Sequence, residues 1–193
     1  MQYTETGGHQ KGFTRRNFVK TSLFSIMGLL TSGSALFAGS ALKEKKVLAF
    51  YNYYTRESCH VVYNVGENYI PRSLAVIDYI LRDRRTGEIK PIDTNLLDLL
   101  YNLKTRLNSD SPFFIVSGYR SEKTNNLLRR KNRRVAKNSL HLQGQAVDLY
   151  MPTCRLSKLR QAAVELKGGG IGYYPTHRFI HIDVGPVRYW NGS

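Results

Sequence analysis

Cysteine is nearly absent from this chain. Cys59 and Cys154 are the only two in 193 residues. Neither has a second cysteine or a histidine near it at finger spacing, which excludes a cysteine zinc finger and a disulfide-stapled miniature scaffold. A pair so far apart leaves one disulfide and two unpaired buried thiols equally open. Acidic residues are scarce as well: 14 Asp and Glu stand against 29 Lys and Arg, a net charge of +15. Internal repeats, heptads and low-complexity tracts are missing, which excludes solenoids and coiled coils. Long apolar runs are missing beyond Phe37. What is present is an ordinary 41% of hydrophobic residues, enough for one domain with a proper core and a short extra segment.

The extra segment is N-terminal. Thr14-Arg-Arg-Asn-Phe-Val-Lys20 is a twin-arginine pattern, an apolar stretch broken by Gly and Ser follows from Leu23 to Phe37, and small residues come next, Ala38-Gly-Ser-Ala41. That order of basic, apolar and small-residue regions predicts an export signal over residues 1–41, cut after Ser40 or Ala41. The alternative is an uncut anchor, since the apolar stretch is short but not impossible as a span. The signal resembles that of the bacterial twin-arginine machinery, which moves folded proteins, so the expected destination is the periplasm. Residues 42–193 form the predicted working domain, with no stable membrane span after cleavage. Without residues 1–41 the chain has 25 basic and 13 acidic residues, a charge of +12. An exported cationic protein meets cell-wall polymers and anionic lipid heads rather than nucleic acid.

Along this domain the pattern mixes strands and helices. Val47–Tyr54 and His60–Tyr63 read as a hairpin joined through Thr55-Arg-Glu-Ser58. Pro71 suits a first helical turn, and Leu74, Ile77 and Leu81 recur at helical spacing. Asp93 caps a helix running to about Leu107. Phe113–Gly118 is a buried strand, and Ser121 opens another helix. Ala146–Met151 is a strand that Pro152 ends. Leu156–Lys167 is a helix stopped by Gly168-Gly-Gly170. Ile171–Tyr174, Phe179–Asp183 and Val187–Trp190 are short terminal strands. There is no βαβ rhythm, so the expected class is α+β, a small antiparallel sheet with helices packed on it.

The chemistry sits in Ser139-Leu-His-Leu-Gln-Gly-Gln-Ala-Val-Asp148. His141 and Asp148 are seven residues apart, Gly144 allows a turn between them, and Asp148 lies inside an apolar strand. A lone buried carboxylate is costly unless paired or bound to metal. His181 is likewise flanked by isoleucines. Two His and one Asp make the three-ligand set of a catalytic zinc, which keeps its fourth position open for water. This points to a metal-dependent hydrolase with its ion in a central cleft. Strand alternation puts Phe179, His181 and Asp183 on one face, so Asp183 is either a general base or the partner that orients a ligand histidine. His177, in a loop, is a further acid-base candidate. Arg120, closing Ser117-Gly-Tyr-Arg-Ser121, suits a substrate carboxylate or an oxyanion. Arg129–Lys137 has six basic residues in nine, either a solvated helix end or a rim that attracts an anionic polymer.

These residues carry a resemblance. Ser-x-His-x-x-Gly-x-Ala-x-Asp with a downstream ligand histidine is similar to the zinc D-Ala-D-Ala carboxypeptidase class of the lysostaphin, D-Ala-D-Ala metallopeptidase and hedgehog superfamily. Within it, Leu81–Asp93, Ser117-Gly-Tyr-Arg-Ser121, Gly169-Gly-Ile-Gly-Tyr-Tyr-Pro175 and Phe179-Ile-His-Ile-Asp-Val-Gly-Pro186 resemble the YcbK (MepK) group of murein endopeptidases. The resemblance implies that fold, one zinc ion on His141, Asp148 and His181, a substrate-binding role for Arg120, and hydrolysis of peptide cross-links in peptidoglycan during wall growth or remodelling. It also implies one departure. Where several members carry their base, three or two residues before the last histidine, this chain has Arg178 and Phe179, which cannot serve. Asp183 and then His177 are the expected substitutes. A D-Ala-D-Ala type carboxypeptidase and a non-catalytic, zinc-stabilised wall-binding module are the alternatives.

Overall fold

The computed structural model describes residues 43–192; the export signal read in residues 1–41 lies outside the described residues. The described part is built around one sheet. Its strands are β1 (Lys45–Asn52), β2 (Ser58–Val65), β3 (Asn68–Tyr69), β4 (Phe113–Ser117), β5 (Ala146–Tyr150), β6 (Gly170–Tyr174), β7 (Phe179–Asp183) and β8 (Arg188–Asn191). Their order is β3-β2-β1-β4-β5-β7-β6-β8. The helices are α1 (Pro71–Ile80), α2 (Thr94–Leu107), α3 (Glu122–Lys131) and α4 (Leu156–Leu166). The class is mixed α+β, as expected.

The sheet itself is neither small nor wholly antiparallel. It has eight strands among the described residues, and β1 runs parallel to β4 while β6 runs parallel to β8. Two connections cause this, one long and one short. Between β1 and β4 the chain makes β2, β3, α1 and α2, enough to carry it back to the starting end. After the β6–β7 hairpin it passes to the outer side of β6, so β8 lies along the edge.

Alternation decides which face is covered. Leu48, Phe50, Phe113, Ile115, Val147, Leu149, Ile180 and Ile182 are all buried. They alternate with residues that face the other side of the sheet and meet the apolar stripes of the helices, Ile77 and Ile80 of α1, Leu96, Leu97, Leu100 and Leu103 of α2, and Leu159 and Ala163 of α4. Helix ends follow the local chemistry. Pro71 occupies the first turn of α1. Asp93 accepts the Asn95 amide at 2.9 Å to cap α2, and Ser121 Oγ accepts the Thr124 amide at 3.2 Å to cap α3. Cys59 and Cys154 are unpaired, and burial raises the Cys59 thiol to about 11. Among the described residues no helix is long and apolar enough to cross a membrane.

Candidate metal centre

The antiparallel register of β5 and β7 sets Asp148 directly against His181. Their sequence neighbours Val147, Leu149, Ile180 and Ile182 point into the core, so the two polar side chains emerge together on the opposite face. His141 comes from a 3-10 turn, Leu140–Gln143, that leads into β5. Gly144 closes that turn at φ +70, where a Cβ would run into the Pro91 carbonyl oxygen. Glycine is therefore required there to bring His141 back over the strand.

Three atoms converge. His141 Nε2 lies 3.2 Å from Asp148 Oδ1 and 3.2 Å from His181 Nδ1, and His181 Nδ1 lies 2.9 Å from Asp148 Oδ1. The outer ring nitrogens fix which atoms face inward. His141 Nδ1 meets the Gly118 carbonyl at 2.7 Å, and a carbonyl only accepts, so Nδ1 bears the hydrogen and Nε2 turns a lone pair inward. His181 Nε2 donates to Asp183 Oδ2 at 2.9 Å, so its Nδ1 is the inward atom. Two imidazole nitrogens and a carboxylate oxygen at this spacing could hold a metal ion. Tetrahedral zinc, with bonds of about 2.0–2.1 Å, separates its donor atoms by roughly 3.3 Å. The triangle has that size, and its donor set and anchored outer nitrogens fit the ion.

The electrostatics agree. Burial, aided by the neighbouring Arg120 charge, pushes His141 down to about 4 and keeps it neutral. Burial also opposes the imidazolium of His181, but the carboxylates of Asp148 and Asp183 on its two nitrogens outweigh this and raise it. For Asp148, burial favours the neutral acid, yet His141 and Arg120 outweigh it and hold the carboxyl well below the usual carboxylate range.

Arg120 borders the triangle. Its Nη2 pairs with Asp148 Oδ2, its Nε donates to Ser117 Oγ at 2.9 Å, and its own amide donates to the His141 carbonyl at 3.1 Å. Asp183 is wholly buried, and five donors enclose its carboxylate. The amides of Gly170 and Gly185 reach Oδ1 at 3.0 and 2.9 Å, Arg188 Nη1 reaches Oδ1 at 3.1 Å, and His181 Nε2 and Arg188 Nη2 reach Oδ2 at 2.9 and 2.7 Å. His177 stands outside the triangle, exposed on the turn before β7, its ring stacked 6.3 Å from that of Phe179. The basic run from Arg129 covers the exposed end of α3 and the following loop. Its fold is pinned by Asn125 Nδ2, which donates to the Ala136 and Lys137 carbonyls at 3.1 and 3.2 Å.

Several residues of the site escape a reading of the sequence. Arg188 holds Asp183, and Trp190 lies 5.3 Å from the His181 ring with its Nε1 donating to Tyr174 OH at 3.0 Å. Both sit in a stretch legible only as a terminal strand. Ser117 and Gly118 belong to the motif that singles out Arg120, and the motif was the available signal for them. Asp83 accepts the amide and hydroxyl of Ser121, both at 2.8 Å, and so holds the start of α3.

Comparison with known proteins places most of the chain in one family. A family model described as peptidoglycan L,D-endopeptidase MepK, of the M15 peptidases, matches residues 40–190. The chain is 42% identical over 154 residues to the peptidoglycan L,D-endopeptidase MepK of Escherichia coli K12, covering 80% of this chain and 85% of that protein. It is 36% identical over 167 residues to the probable peptidoglycan L,D-endopeptidase MepK of Haemophilus influenzae, covering 86% and 90%. The solved L-Ala D-Glu endopeptidase ChiX of Serratia marcescens overlaps 39% of this chain and 62% of its own, at 19% identity and a TM-score of 0.32.

Proposed function

From the premise that this chain belongs to the M15 peptidase family of the peptidoglycan endopeptidase MepK, we propose that it is a zinc-dependent L,D-endopeptidase of murein cross-links. The observation that carries the zinc is the triangle of inward-facing His141, Asp148 and His181 atoms, each ring anchored by its outer nitrogen. When bound, zinc supplies the Lewis acidity that activates water and polarises the scissile carbonyl.

The chain's own residues do the rest. His141 and Asp148 stay unprotonated at neutral pH and hold their donor atoms toward the cleft. Arg120, fixed by Ser117 and Asp148 at the rim, offers its charge to the oxyanion or to a substrate carboxylate. Of the two roles open to Asp183, we assign the orienting one. With five donors on two oxygens it has no capacity left to take a proton, and it locks the ring of His181 instead. His177, exposed and outside the triangle, is given no essential part. The twin-arginine pattern supports a periplasmic site of action, reached through that machinery, with cross-linked stem peptides as the partner and wall growth or remodelling as the setting.

The test is product analysis. Purified protein with zinc is incubated with cross-linked muropeptide dimers and the products are weighed by mass spectrometry. Dimers are expected to become monomers, with activity lost in chelator and in His141→Ala. Retained activity in His141→Ala overturns the ligand assignment. Shortened stems in uncut dimers mean a carboxypeptidase, and stoichiometric zinc without any cleavage means a wall-binding module.

A further inference from the structure

The face of the sheet that carries the metal centre also carries a row of aromatic rings. Tyr51, Phe114 and Tyr150 are register partners across β1, β4 and β5. Their ring centroids are 4.7 and 5.2 Å apart in succession. Tyr53 continues the row 6.4 Å from Tyr150, and Tyr54 stands edge-on to Tyr53 at 5.2 Å. The residues beside them in sequence, Phe50, Phe113 and Leu149, are buried under the helices, whereas Tyr53 and Tyr54 are 45% and 46% exposed. Two guanidinium groups sit on this row: Arg84 lies 3.5 Å over Tyr54 and Arg56 5.8 Å over Tyr53. The loop that presents them is held rigidly. Asn52 Oδ1 accepts the Tyr54 and Thr55 amides at 3.1 and 3.2 Å, and Asn52 Nδ2 donates to the Ile80 carbonyl at 2.9 Å. The Tyr53 amide donates to the Ile115 carbonyl at 3.0 Å. The mechanism above uses none of these side chains.

We propose that this aromatic row is a docking platform for the glycan strand of the wall polymer, binding pyranose rings by their C–H faces while Arg56 and Arg84 donate to sugar hydroxyls and carbonyls. The proposal rests on the murein reading given above. Reach is the first argument. Tyr150 lies two residues beyond Asp148 on the same face, about 7 Å along the strand, and Tyr51 lies two strands across, roughly 12 Å away on the diagonal. An extended stem of three residues, which joins a sugar to its cross-linked residue, spans about 10 Å. A cross-link centred on the metal therefore brings its own sugar over the platform. Chemistry is the second. The row offers rigid, flat, partly exposed rings rather than a pocket, which suits a ligand with an apolar face and a polar rim. Charge is the third: the cations stacked on the rings add charged donors beside the tyrosine hydroxyls.

The experiment uses the full chain and a probe that has no bond to cut: purified glycan strands from which the stem peptides have been removed. Binding is measured by calorimetry for wild type and for Tyr53→Ala/Tyr54→Ala, with thermal melting as the check on folding. Wild type is expected to bind, and the double variant to bind about tenfold or more weaker with an unchanged melting curve. A Tyr53→Phe/Tyr54→Phe variant, which keeps the rings, is expected to bind like wild type, and it serves as the readout if the alanine variant is unstable. No binding by wild type, or equal binding by the alanine variant, overturns the platform. So does preferential binding to anionic phospholipid vesicles, which would make the patch a membrane contact. Cleavage of dimers without glycan binding removes the platform alone, whereas glycan binding without cleavage removes the endopeptidase reading alone.

Discussion

Asp183 concentrates the chemistry of this site in one residue. Burial favours its neutral acid, but the hydrogen bonds from His181 and Arg188 outweigh that and lower it to about 2. It is therefore a fixed negative charge behind a ligand ring. Asp183→Asn removes that charge and one side of the Arg188 pair. It is expected to weaken zinc binding about 10- to 100-fold in chelator competition, with far-ultraviolet circular dichroism unchanged. His177→Ala is expected to change turnover of muropeptide dimers less than about threefold, since groups in proton transfer contribute roughly 100-fold or more. Loss of activity in His177→Ala with normal zinc binding would return His177 to the mechanism. At this scale the sequence was informative about which groups converge and ambiguous about their support. An ionisable group inside an apolar strand is conspicuous, which is why Asp148 and His181 stand out. Asp183 shows only that it shares His181's face; the amides of Gly170 and Gly185 and the guanidinium of Arg188 that surround it come from folding.

At the scale of the element, β4 is followed at once by a glycine that the site requires. Gly118 packs so tightly on Leu81 that a Cβ would run into the Leu81 carbonyl oxygen, and its own carbonyl receives the His141 Nδ1 hydrogen. Gly118→Ala is expected to cost about 1–3 kcal/mol in denaturant unfolding and to weaken zinc binding with it; normal stability and affinity would show that the strand end relaxes freely. Most elements were legible. The hairpin of β1 and β2, the Pro71 start, the Asp93 cap and the glycine stop after α4 are all local signals, and local signals survive in a sequence. The two parallel pairings were not legible, because each depends on where the chain goes between strands. The two-residue β3 and the 3-10 turn bearing His141 are too short to show a period.

For the whole molecule, one carboxylate ties the first strands to the helical layer. Asp98 of α2 accepts Lys46 Nζ from β1 at 3.0 Å, Tyr63 OH from β2 at 2.8 Å and Tyr69 OH from β3 at 2.8 Å. Burial opposes its ionisation, but these three donors outweigh it and hold Asp98 below its ordinary value. A carboxyl depressed in the folded state lends stability above its unfolded value of about 3.9 and loses it as pH falls through the folded value. Urea unfolding from pH 6 downward is therefore expected to show Asp98→Asn less stable than wild type by about 1–3 kcal/mol, the cost of losing the charge that Lys46 meets and one of the two oxygens that Lys46, Tyr63 and Tyr69 share. The gap should narrow below about pH 4. A gap independent of pH would mean that shape, not charge, is what Asp98 contributes.

The last strand has a consequence for heat. Among the described residues β8 lies at the sheet edge, paired with β6, and from there Arg188 reaches in to hold Asp183 while Trp190 leans on His181. Edge strands open before cores do. On warming, the grip on the His181 ring is therefore expected to loosen while Leu48, Phe50 and Leu149 remain packed. Activity and circular dichroism followed together on heating should then show turnover lost below the melting temperature, with the working range set by β8; loss of both at one temperature would mean that β8 holds as long as the core.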